Sequence, residues 1–376
     1  MFKPLNKILH SSLVACALFA AAPAHAGDIT IGADFPMSGP NATYGDIFGA
    51  GANLAAEHIN ADHMLDGKLT IQYEDSQALP QQGLIAMTKL VNVAKAPYVM
   101  TAFTGVSKAA STVAARTRTV AVNGGGVGPD LAELGPYFWN VIPLINAEIG
   151  TMVPYLVKER NFKRFVLIYV DDPLGQAVAK DMPTILSKVG GKMLDAMSIP
   201  VTEQQFSGIA AKVRADNPDV IYIASYGAQE LQLIKQLRDN GLTQQIASYS
   251  ALAIPGTLAL PQAKGALYTT QHMDWSSADP VTKRFVDDYS KKYNKQPTAY
   301  VANYYNAVRL FALLAQDLEK HKQPITGENL LKARKDMKTF DMVGGKMIFN
   351  ENGTVTMPIQ VNQVGDQASK IVYAGK

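Results

Sequence analysis

The sequence has a single cysteine, Cys16, among its 376 residues, and that cysteine lies in an apolar run near the amino terminus. The remainder of the chain therefore has no partner with which to form a disulfide. Beyond residue 26 no run of about 18 uninterrupted apolar residues occurs, so no membrane-spanning helix is predicted there. The net charge is only +3, without a long basic run, which argues against nucleic acid or an anionic membrane as the main partner.

The motifs of several enzyme classes are also missing. Neither H-E-x-x-H nor G-x-S-x-G occurs, which argues against the corresponding metalloproteases and serine hydrolases. His58 and His63 are interpreted as surface polar residues rather than metal ligands. The glycine-rich segment 123–128 departs from the G-x-G-x-x-G spacing and follows a fourth predicted strand rather than the first, which disfavours a dinucleotide site. We therefore expect no enzymatic activity, no cofactor and no bound metal.

The first 26 residues have the features of a secretory signal peptide. Two lysines precede a short apolar run at residues 11–22, and Ala24-His25-Ala26 fits the small-x-small rule for cleavage before Gly27. This pattern predicts export of the remaining chain to the periplasm. In an alternative interpretation, Leu13-Val14-Ala15-Cys16 is a lipobox, and the cysteine would carry a lipid anchor.

Beyond the signal peptide, strand-like apolar runs alternate with amphipathic helical patterns, which is typical of an α/β protein with mainly parallel sheets. In the predicted helix 44–61, apolar residues recur at helical spacing along one face. A first run of strands is predicted at Ile29–Phe35, Lys68–Glu74, Tyr98–Thr101 and Thr119–Asn123. A second run is predicted at Arg164–Val170, Lys192–Ile199, Asp219–Ala224, Ile246–Ser250 and Gly265–Thr270. Helices at residues 280–338 and short strands from Met342 complete the chain.

The order of these segments predicts two lobes rather than two sequential domains. The helix-rich segment has no sheet of its own and is expected to return to the first lobe, so the chain would cross between lobes near residues 143, 272 and 350. The amino-terminal lobe would then comprise residues 27–142 plus 273–349, and the carboxy-terminal lobe residues 143–272 plus 350–376. A hinged α/β protein of this kind holds a ligand in the cleft at the carboxyl ends of its strands.

A series of short motifs extends over the chain beyond residue 26. They are Met37-Ser38-Gly39-Pro40, Tyr44-Gly45, Gly49-x-Gly51-Ala52-x-Leu54-Ala55-Ala56-Glu57-x-Ile59-Asn60, Glu74-Asp75-Ser76, Tyr98-Val99-Met100, Ala224-Ser225-Tyr226-Gly227 and Phe349-x-x-x-Gly353. Together they resemble the Leu/Ile/Val-binding proteins, the type I periplasmic substrate-binding proteins of ABC importers. The resemblance implies two Rossmann-like lobes on a three-segment hinge that close on a small solute. It also implies an ABC permease and ATPase as partners, and we expect a monomer.

The resemblance and the predicted strand ends give a set of candidate ligand-binding residues. They are Met37, Tyr44, Phe103, Thr104, Gly105, Ser107, Gly125, Val127, Asn146, Tyr226, Ser250 and Trp275. Tyr44 is interpreted as a residue that stacks on the ligand, with simple packing against its loop as the alternative. The helix predicted from Ser107 would offer free N–H groups to a carboxylate, with Ser107 either donating to the ligand or capping the helix. Asp171 and Asp172 are assigned to helix capping rather than to ligand contact.

Three positions depart from the pattern that the family's amino-acid binders show. Our alignment places Gly105 and Val127 where hydroxyl residues are common, and Ser250 where an acidic residue is expected to face the ligand's ammonium group. Burial of an ammonium group without a carboxylate partner is costly. We therefore expect a small carboxylate with an apolar or aromatic body. An amino acid such as Leu, Ile or Val, or an amide, is the alternative ligand, and signalling to a membrane receptor is the alternative role.

Overall fold

The computed structural model describes residues 27–366 and 369–375, so the predicted signal peptide and Cys16 lie outside the described residues. Strands and helices alternate along most of this part of the chain and form two large sheets and one small sheet. The predicted α/β class with mainly parallel sheets and two lobes is confirmed. Among the helices described, none combines the length and the apolar character needed to cross a bilayer.

The first large sheet contains five parallel strands and belongs to the amino-terminal lobe. Its strands are β1 (Ile29–Phe35), β2 (Leu69–Asp75), β3 (Tyr98–Thr101), β4 (Val120–Asn123) and β5 (Phe138–Asn140), in the spatial order β2-β1-β3-β4-β5. The helices between them are α1 (Ala42–Ala61), α2 (Pro80–Asn92) and α3 (Thr104–Thr117). The fifth strand was not predicted, because three residues are too few to show an alternating pattern.

The second large sheet contains seven strands and forms the centre of the other lobe. Its strands are β6 (Arg164–Val170), β7 (Lys192–Ile199), β8 (Val220–Ala224), β9 (Gln245–Ser248), β10 (Leu267–Gln271), β14 (Ile359–Gln363) and β15 (Lys370–Ala374). The order is β15-β14-β10-β9-β8-β6-β7, and β14 is antiparallel to both of its neighbours, β10 and β15. The helices are α4 (Ile145–Pro154), α5 (Pro173–Val189), α6 (Ser207–Asp216), α7 (Gly227–Asp239) and the short α8 (Pro255–Leu258).

The segment after β10 packs against the first sheet. It consists of α9 (Pro280–Tyr293), α10 (Ala299–Lys320), α11 (Gly327–Met337) and a small antiparallel sheet of β11 (Thr339–Met342), β12 (Gly345–Phe349) and β13 (Val355–Thr356). The Tyr98 hydroxyl of β3 donates to the Ala307 carbonyl of α10 at 2.6 Å. The Asn140 N–H of β5 donates to the Gly353 carbonyl at 2.8 Å. The helix-rich segment therefore joins the amino-terminal lobe.

The chain passes between the two large sheets three times: between β5 and β6, after β10, and between β13 and β14. The last passage follows Thr356, because Val355 and Thr356 still pair with β12. The structure thus places it several residues beyond the predicted position near residue 350. The residue limits of the two lobes stay a prediction.

Packing of α1 against α10 forms much of the core of the amino-terminal lobe. The predicted apolar face of α1 is buried, with Phe48, Ala52, Ala55 and Ile59 all in the core. The ring centroids of Phe48 and Tyr304, which belongs to α10, are 4.4 Å apart. The Tyr304 hydroxyl donates to the Thr101 carbonyl at the end of β3 at 2.7 Å. These contacts fix the start of α1 relative to the ends of the strands, where the cleft opens.

Candidate ligand-binding site

A cavity of about 830 Å³ lies in the cleft between the two lobes. The amino-terminal lobe lines it with the loop before α1, the start of α3, the glycine-rich loop after β4 and the start of α10. The other lobe lines it with the ends of β6 and β8, the starts of α5 and α7, and the segment 201–205. The cavity therefore lies at the carboxyl ends of strands from both sheets, where ligands of open α/β sheets bind.

Tyr44 connects the two lobes directly. Its ring is buried, with 3% exposure, although it comes from the first turn of α1. Its hydroxyl donates to the Ala251 carbonyl at 3.3 Å and accepts from the Gly227 N–H at 3.2 Å, and both partners belong to the carboxy-terminal lobe. Gly227 has φ of +62°, and a Cβ there would lie 2.6 Å from Asn41 Oδ1, so glycine permits this close approach.

The amino terminus of α3 forms one wall of the cavity. Phe103, Thr104 and Gly105 line the cavity, and Phe103 occupies the N-cap position. Its φ of +61° is rare for a residue with a side chain, and such strained backbone is concentrated at functional sites. The N–H groups of the first turn have no acceptor within the helix, so they are available to a negatively charged group.

The glycine-rich loop after β4 lies beside the start of α3. The Asn123 side chain organises this loop, because its Oδ1 accepts from Gly126 N at 2.7 Å and its Nδ2 donates to the Gly126 carbonyl at 2.7 Å. A Cβ at Gly126 would lie 2.8 Å from the Phe103 carbonyl carbon. Glycine is therefore required for the close contact of these two loops, and Gly125 and Val127 line the cavity beside it.

The opposite wall comes from the carboxy-terminal lobe. Tyr226 precedes α7, and its ring lies edge-on to the ring of Phe103, with centroids 5.5 Å apart. The Tyr226 hydroxyl donates to Asp172 Oδ2 at 2.8 Å, while Asp172 Oδ1 accepts from Gly175 N and caps α5. Burial raises the pKa of the Asp172 carboxyl, and these two hydrogen bonds act in the opposite direction. The predicted capping role of Asp172 is confirmed, but the residue also lines the cavity.

A buried polar network lies behind the cavity. Glu148 of α4 accepts from the Ser250 N–H and hydroxyl, both at 2.8 Å, and from the Thr269 hydroxyl at 2.6 Å. The Tyr300 hydroxyl of α10 lies 3.3 Å from Ser250 Oγ. Burial raises the pKa of Glu148 to about 7, although its three donors favour the charged form. The network connects the carboxy-terminal lobe to Tyr300, whose ring lines the cavity.

The structure brings seven of the twelve predicted site residues to the cavity wall: Tyr44, Phe103, Thr104, Gly105, Gly125, Val127 and Tyr226. It places the other five elsewhere. Met37 and Asn146 are exposed, and Trp275 packs against Phe285. Ser107 is the fourth residue of α3 rather than its cap, and its hydroxyl contacts Thr101 Oγ1 at 3.0 Å. Ser250 donates to Glu148, behind the cavity. Whether the lining residues bind a ligand stays a prediction.

Several lining residues were not among the predicted site residues: Phe48, Asp172, Leu174 and Tyr300. Asp172 follows the end of β6 just as Tyr226 follows the end of β8, so strand-end position could have identified it. Tyr300 lies in the first turn of α10, far along the sequence from the rest of the cavity wall. No local pattern in the sequence indicates that this helix start meets the cleft.

Comparison with known proteins agrees with this architecture. The family model described as "Periplasmic binding protein" matches residues 28–369. The Leu/Ile/Val-binding protein homolog 3 of Brucella melitensis is 26% identical over 362 residues, covering 94% of this chain and 96% of that protein. A leucine-binding protein from Thermotoga maritima superposes with a TM-score of 0.86 at 20% identity, over 93% of this chain and 99% of that chain.

A second solved structure of the same fold contains a bound aromatic carboxylate. It is an ABC-transporter solute-binding protein from R. palustris in complex with benzoate, with a TM-score of 0.83 at 16% identity, over 93% of this chain and 96% of that chain. At these identities the two structures establish the shared fold, while the family match extends over nearly the whole chain. The chain belongs to the type I periplasmic binding proteins of the Leu/Ile/Val-binding family.

Proposed function

We propose that this protein binds a small monocarboxylate with an apolar or aromatic body between its lobes and delivers it to an ABC permease in the inner membrane. The observation that carries the proposal is the composition of the cavity. A helix amino terminus faces it from one lobe, and aromatic rings from both lobes surround it. Such a site suits a ligand with one negative charge and an otherwise apolar surface.

The start of α3 is the proposed carboxylate site. Thr104 and Gly105 line the cavity there, and Thr104 Oγ1 accepts from Gly128 N at 3.0 Å. Because its oxygen accepts that bond, the Thr104 hydroxyl keeps its hydrogen for a ligand. No lysine, arginine or histidine lines the cavity within the described part of the chain. The helix N–H groups, nearby hydroxyls and side-chain amides of the wall, among them Asn41 and Gln77, are therefore the donors available to a carboxylate.

The apolar body of the ligand would lie among four rings: Tyr44, Phe103, Tyr226 and Tyr300. Tyr44 meets Phe103 at 5.4 Å and Tyr300 at 5.9 Å between centroids, both nearly edge-on. An aromatic ligand gains about 0.5–1.5 kcal/mol per ring pair beyond the burial of its surface. This arrangement favours aromatic acids over short aliphatic acids.

The position of Ser250 argues against an α-amino acid ligand. In the family's amino-acid binders an acidic residue is expected at this position, but here the serine hydroxyl donates to Glu148 and does not line the cavity. An α-ammonium group seated beside the α3 start would lack a carboxylate partner from this position. The fold neighbours named for leucine and for benzoate indicate that the architecture is compatible with either class, so the choice depends on such residues.

Transport would depend on closure of the two lobes about the three chain passages. In the proposed division, the first sheet, its helices and the segment from α9 to β13 move against the second large sheet and its helices. A ligand that contacts both walls stabilises the closed form, and a permease can distinguish that form from the open one. Tyr44 contributes to the closed form directly through its bonds to Ala251 and Gly227.

A thermal-shift panel tests the ligand class. We expect benzoate and 4-hydroxybenzoate to raise the melting temperature (Tm), because a ligand that binds the folded state stabilises it by mass action. Leucine, isoleucine and valine should leave Tm unchanged, and 4-methylpentanoate, which lacks only the ammonium group of leucine, should act more strongly than leucine. A strong shift by the three amino acids without any shift by the acids would refute the proposed ligand.

Two substitutions test the cavity assignment from opposite lobes. Tyr44→Ala and Tyr226→Ala should each weaken binding of the best acid about tenfold or more, because each removes a ring contact worth roughly 1.4 kcal/mol. Isothermal titration calorimetry measures the effect. Tyr293→Ala is the matched control, since Tyr293 lies at the end of α9 and not in the cavity wall. Wild-type affinity in both cavity variants would show that the ligand binds elsewhere.

A further inference from the structure

The pair formed by Asp172 and Tyr226 presents hydrogen-bond acceptors to the cavity. Both residues line it, and the Tyr226 hydroxyl donates its only hydrogen to Asp172 Oδ2 at 2.8 Å. The phenol oxygen therefore has only lone pairs left for a ligand. Asp172 Oδ1 accepts from Gly175 N at 2.8 Å, so both carboxylate oxygens act as acceptors. A ligand group placed against this pair has to supply a donor.

The charges around the cavity also favour a hydrogen-bond donor over a second negative charge at this end of the ligand. Asp172 and Glu203 are the acidic residues in the described cavity wall, and no basic side chain accompanies them there. Glu203 belongs to the segment at the mouth, where its Oε1 accepts from Gln204 N and Gln205 N. Nothing in the described wall offsets a second negative charge on the ligand. A second carboxylate near Asp172 would therefore be repelled by its negative charge.

The acceptor pair and the proposed carboxylate site belong to different lobes. Phe103, the N-cap residue of α3, meets the ring of Tyr226 at a centroid distance of 5.5 Å and an interplanar angle of 70°. The hydroxyl of Tyr226 lies at the far end of its ring, next to Asp172. A ligand that spans the cleft with its carboxylate at α3 would thus direct its other end toward the acceptor pair.

We infer that Asp172 is a specificity-determining residue that selects carboxylates with a hydroxyl or ammonium donor at the end opposite the carboxylate, and that it rejects dicarboxylates. This inference rests on the proposed function, because it takes the ligand carboxylate to be seated at the start of α3. It assigns Asp172 a role in ligand choice in addition to its capping of α5. A site built around acceptors discriminates strongly against analogues that lack the donor.

A series of para-substituted benzoates tests the inference by calorimetry. The probes are benzoate, 4-hydroxybenzoate, 4-(aminomethyl)benzoate and terephthalate, which differ only in the group opposite the carboxylate. The wild type should bind the hydroxyl or ammonium compound about tenfold or more tightly than benzoate and should show no measurable binding of terephthalate. In Asp172→Asn the preference for the donor should fall to within about threefold, and terephthalate should gain affinity as the negative charge is lost.

The neighbouring residue supplies a matched control. Asp171→Asn removes the same charge one residue away, but Asp171 is exposed, bonds to Gln176 and does not line the cavity. This variant should keep the wild-type order of affinities. Asparagine caps helices about as well as aspartate, so Asp172→Asn should fold, and an unchanged Tm without ligand verifies this.

The possible results separate the two proposals. If the wild type binds the monocarboxylates and Asp172→Asn keeps the same order of affinities, the role of Asp172 is refuted and the proposed function stands. If Asp171→Asn changes the order as much as Asp172→Asn does, the selection comes from long-range charge and the inference fails. If the wild type binds none of the four probes while leucine raises its Tm, the proposed ligand class itself is refuted.

Discussion

Replacement of Gly51 by alanine is expected to destabilise the protein by about 3 kcal/mol, at the upper end of the usual cost of overpacking. Gly51 lies in the middle of α1, where α1 crosses α10. A Cβ at this position would overlap the Val301 carbonyl oxygen and would lie 3.1 Å from Tyr305 N. Both are backbone atoms of α10, so no side chain can rotate to relieve the clash. The two helices would have to separate.

The effect should extend to the binding site, because α1 carries Tyr44 and Phe48 into the cavity wall. Urea denaturation followed by circular dichroism measures the loss of stability, and calorimetry with the best ligand measures the loss of affinity. Gly150→Ala is the matched control. Gly150 is also a helix-interior glycine, in α4, but a Cβ there meets nothing within 4 Å. It should gain about 0.5–1 kcal/mol from higher helix propensity.

A Gly51→Ala variant as stable as the wild type would show that α1 and α10 are not packed as closely as described. Equal losses in both variants would show that alanine is harmful at these positions for a reason other than the helix crossing. The expected result is a loss at position 51 together with a gain at position 150.

The sequence was sufficient to predict the local elements and the general location of the site. Apolar runs predicted β1 to β4 of the first sheet and β6 to β10 of the second. The spacing of Phe48, Ala52, Ala55 and Ile59 predicted the buried face of α1. Tyr226 could be placed at the cleft because it follows a predicted parallel strand. These inferences succeed because side-chain periodicity and strand-end position depend on neighbouring residues alone.

The sequence pattern placed the start of α3 three residues too late. The helix was predicted from Ser107, whereas it begins at Thr104 after an N-cap residue, Phe103, with positive φ. No serine, threonine, aspartate or asparagine occupies the N-cap position, so the usual sequence signal was absent. The close contact between Phe103 and Gly126 explains this conformation, and that contact joins two separate loops.

The region around Ser250 illustrates the limit set by tertiary contacts. From the sequence, serine at this position indicated that the site lacks an acidic residue. In the structure, Ser250 is bonded to Glu148, which lies 102 residues earlier in the chain, and the half-buried Asp172 lines the cavity. The Ser250–Glu148 contact leaves no local signal, because it depends on how separate elements pack. An acidic residue is therefore present in the cavity wall, but it follows β6 rather than β9, the strand that precedes Ser250.

A second buried carboxylate should make the stability of the protein depend on pH. Glu230 of α7 has no exposed surface, and its Oε1 accepts from the Ser248 hydroxyl at 2.6 Å. Its Oε2 has no hydrogen-bond partner among the described residues. Burial raises the pKa of Glu230 to about 8 from an ordinary value of 4.5. The folded state therefore holds the proton more tightly than the unfolded state does.

The sign of the pH effect follows from this difference. The stabilisation is fully present below about pH 4.5 and is lost as the pH rises toward 8, by up to about 1.4 kcal/mol per pH unit. Glu230→Gln keeps the shape of the side chain but has no proton to lose. We expect the advantage of the variant over the wild type to grow by about 4 kcal/mol between pH 5 and pH 9.

Thermal unfolding from pH 5 to pH 9 measures the difference, which should appear as a gap in Tm that widens with pH. Glu133→Gln is the control for a change of net charge, because Glu133 is exposed, and its Tm should follow the wild type throughout. Parallel Tm curves for Glu230→Gln and the wild type would mean that Glu230 is not held in a site that favours its protonated form.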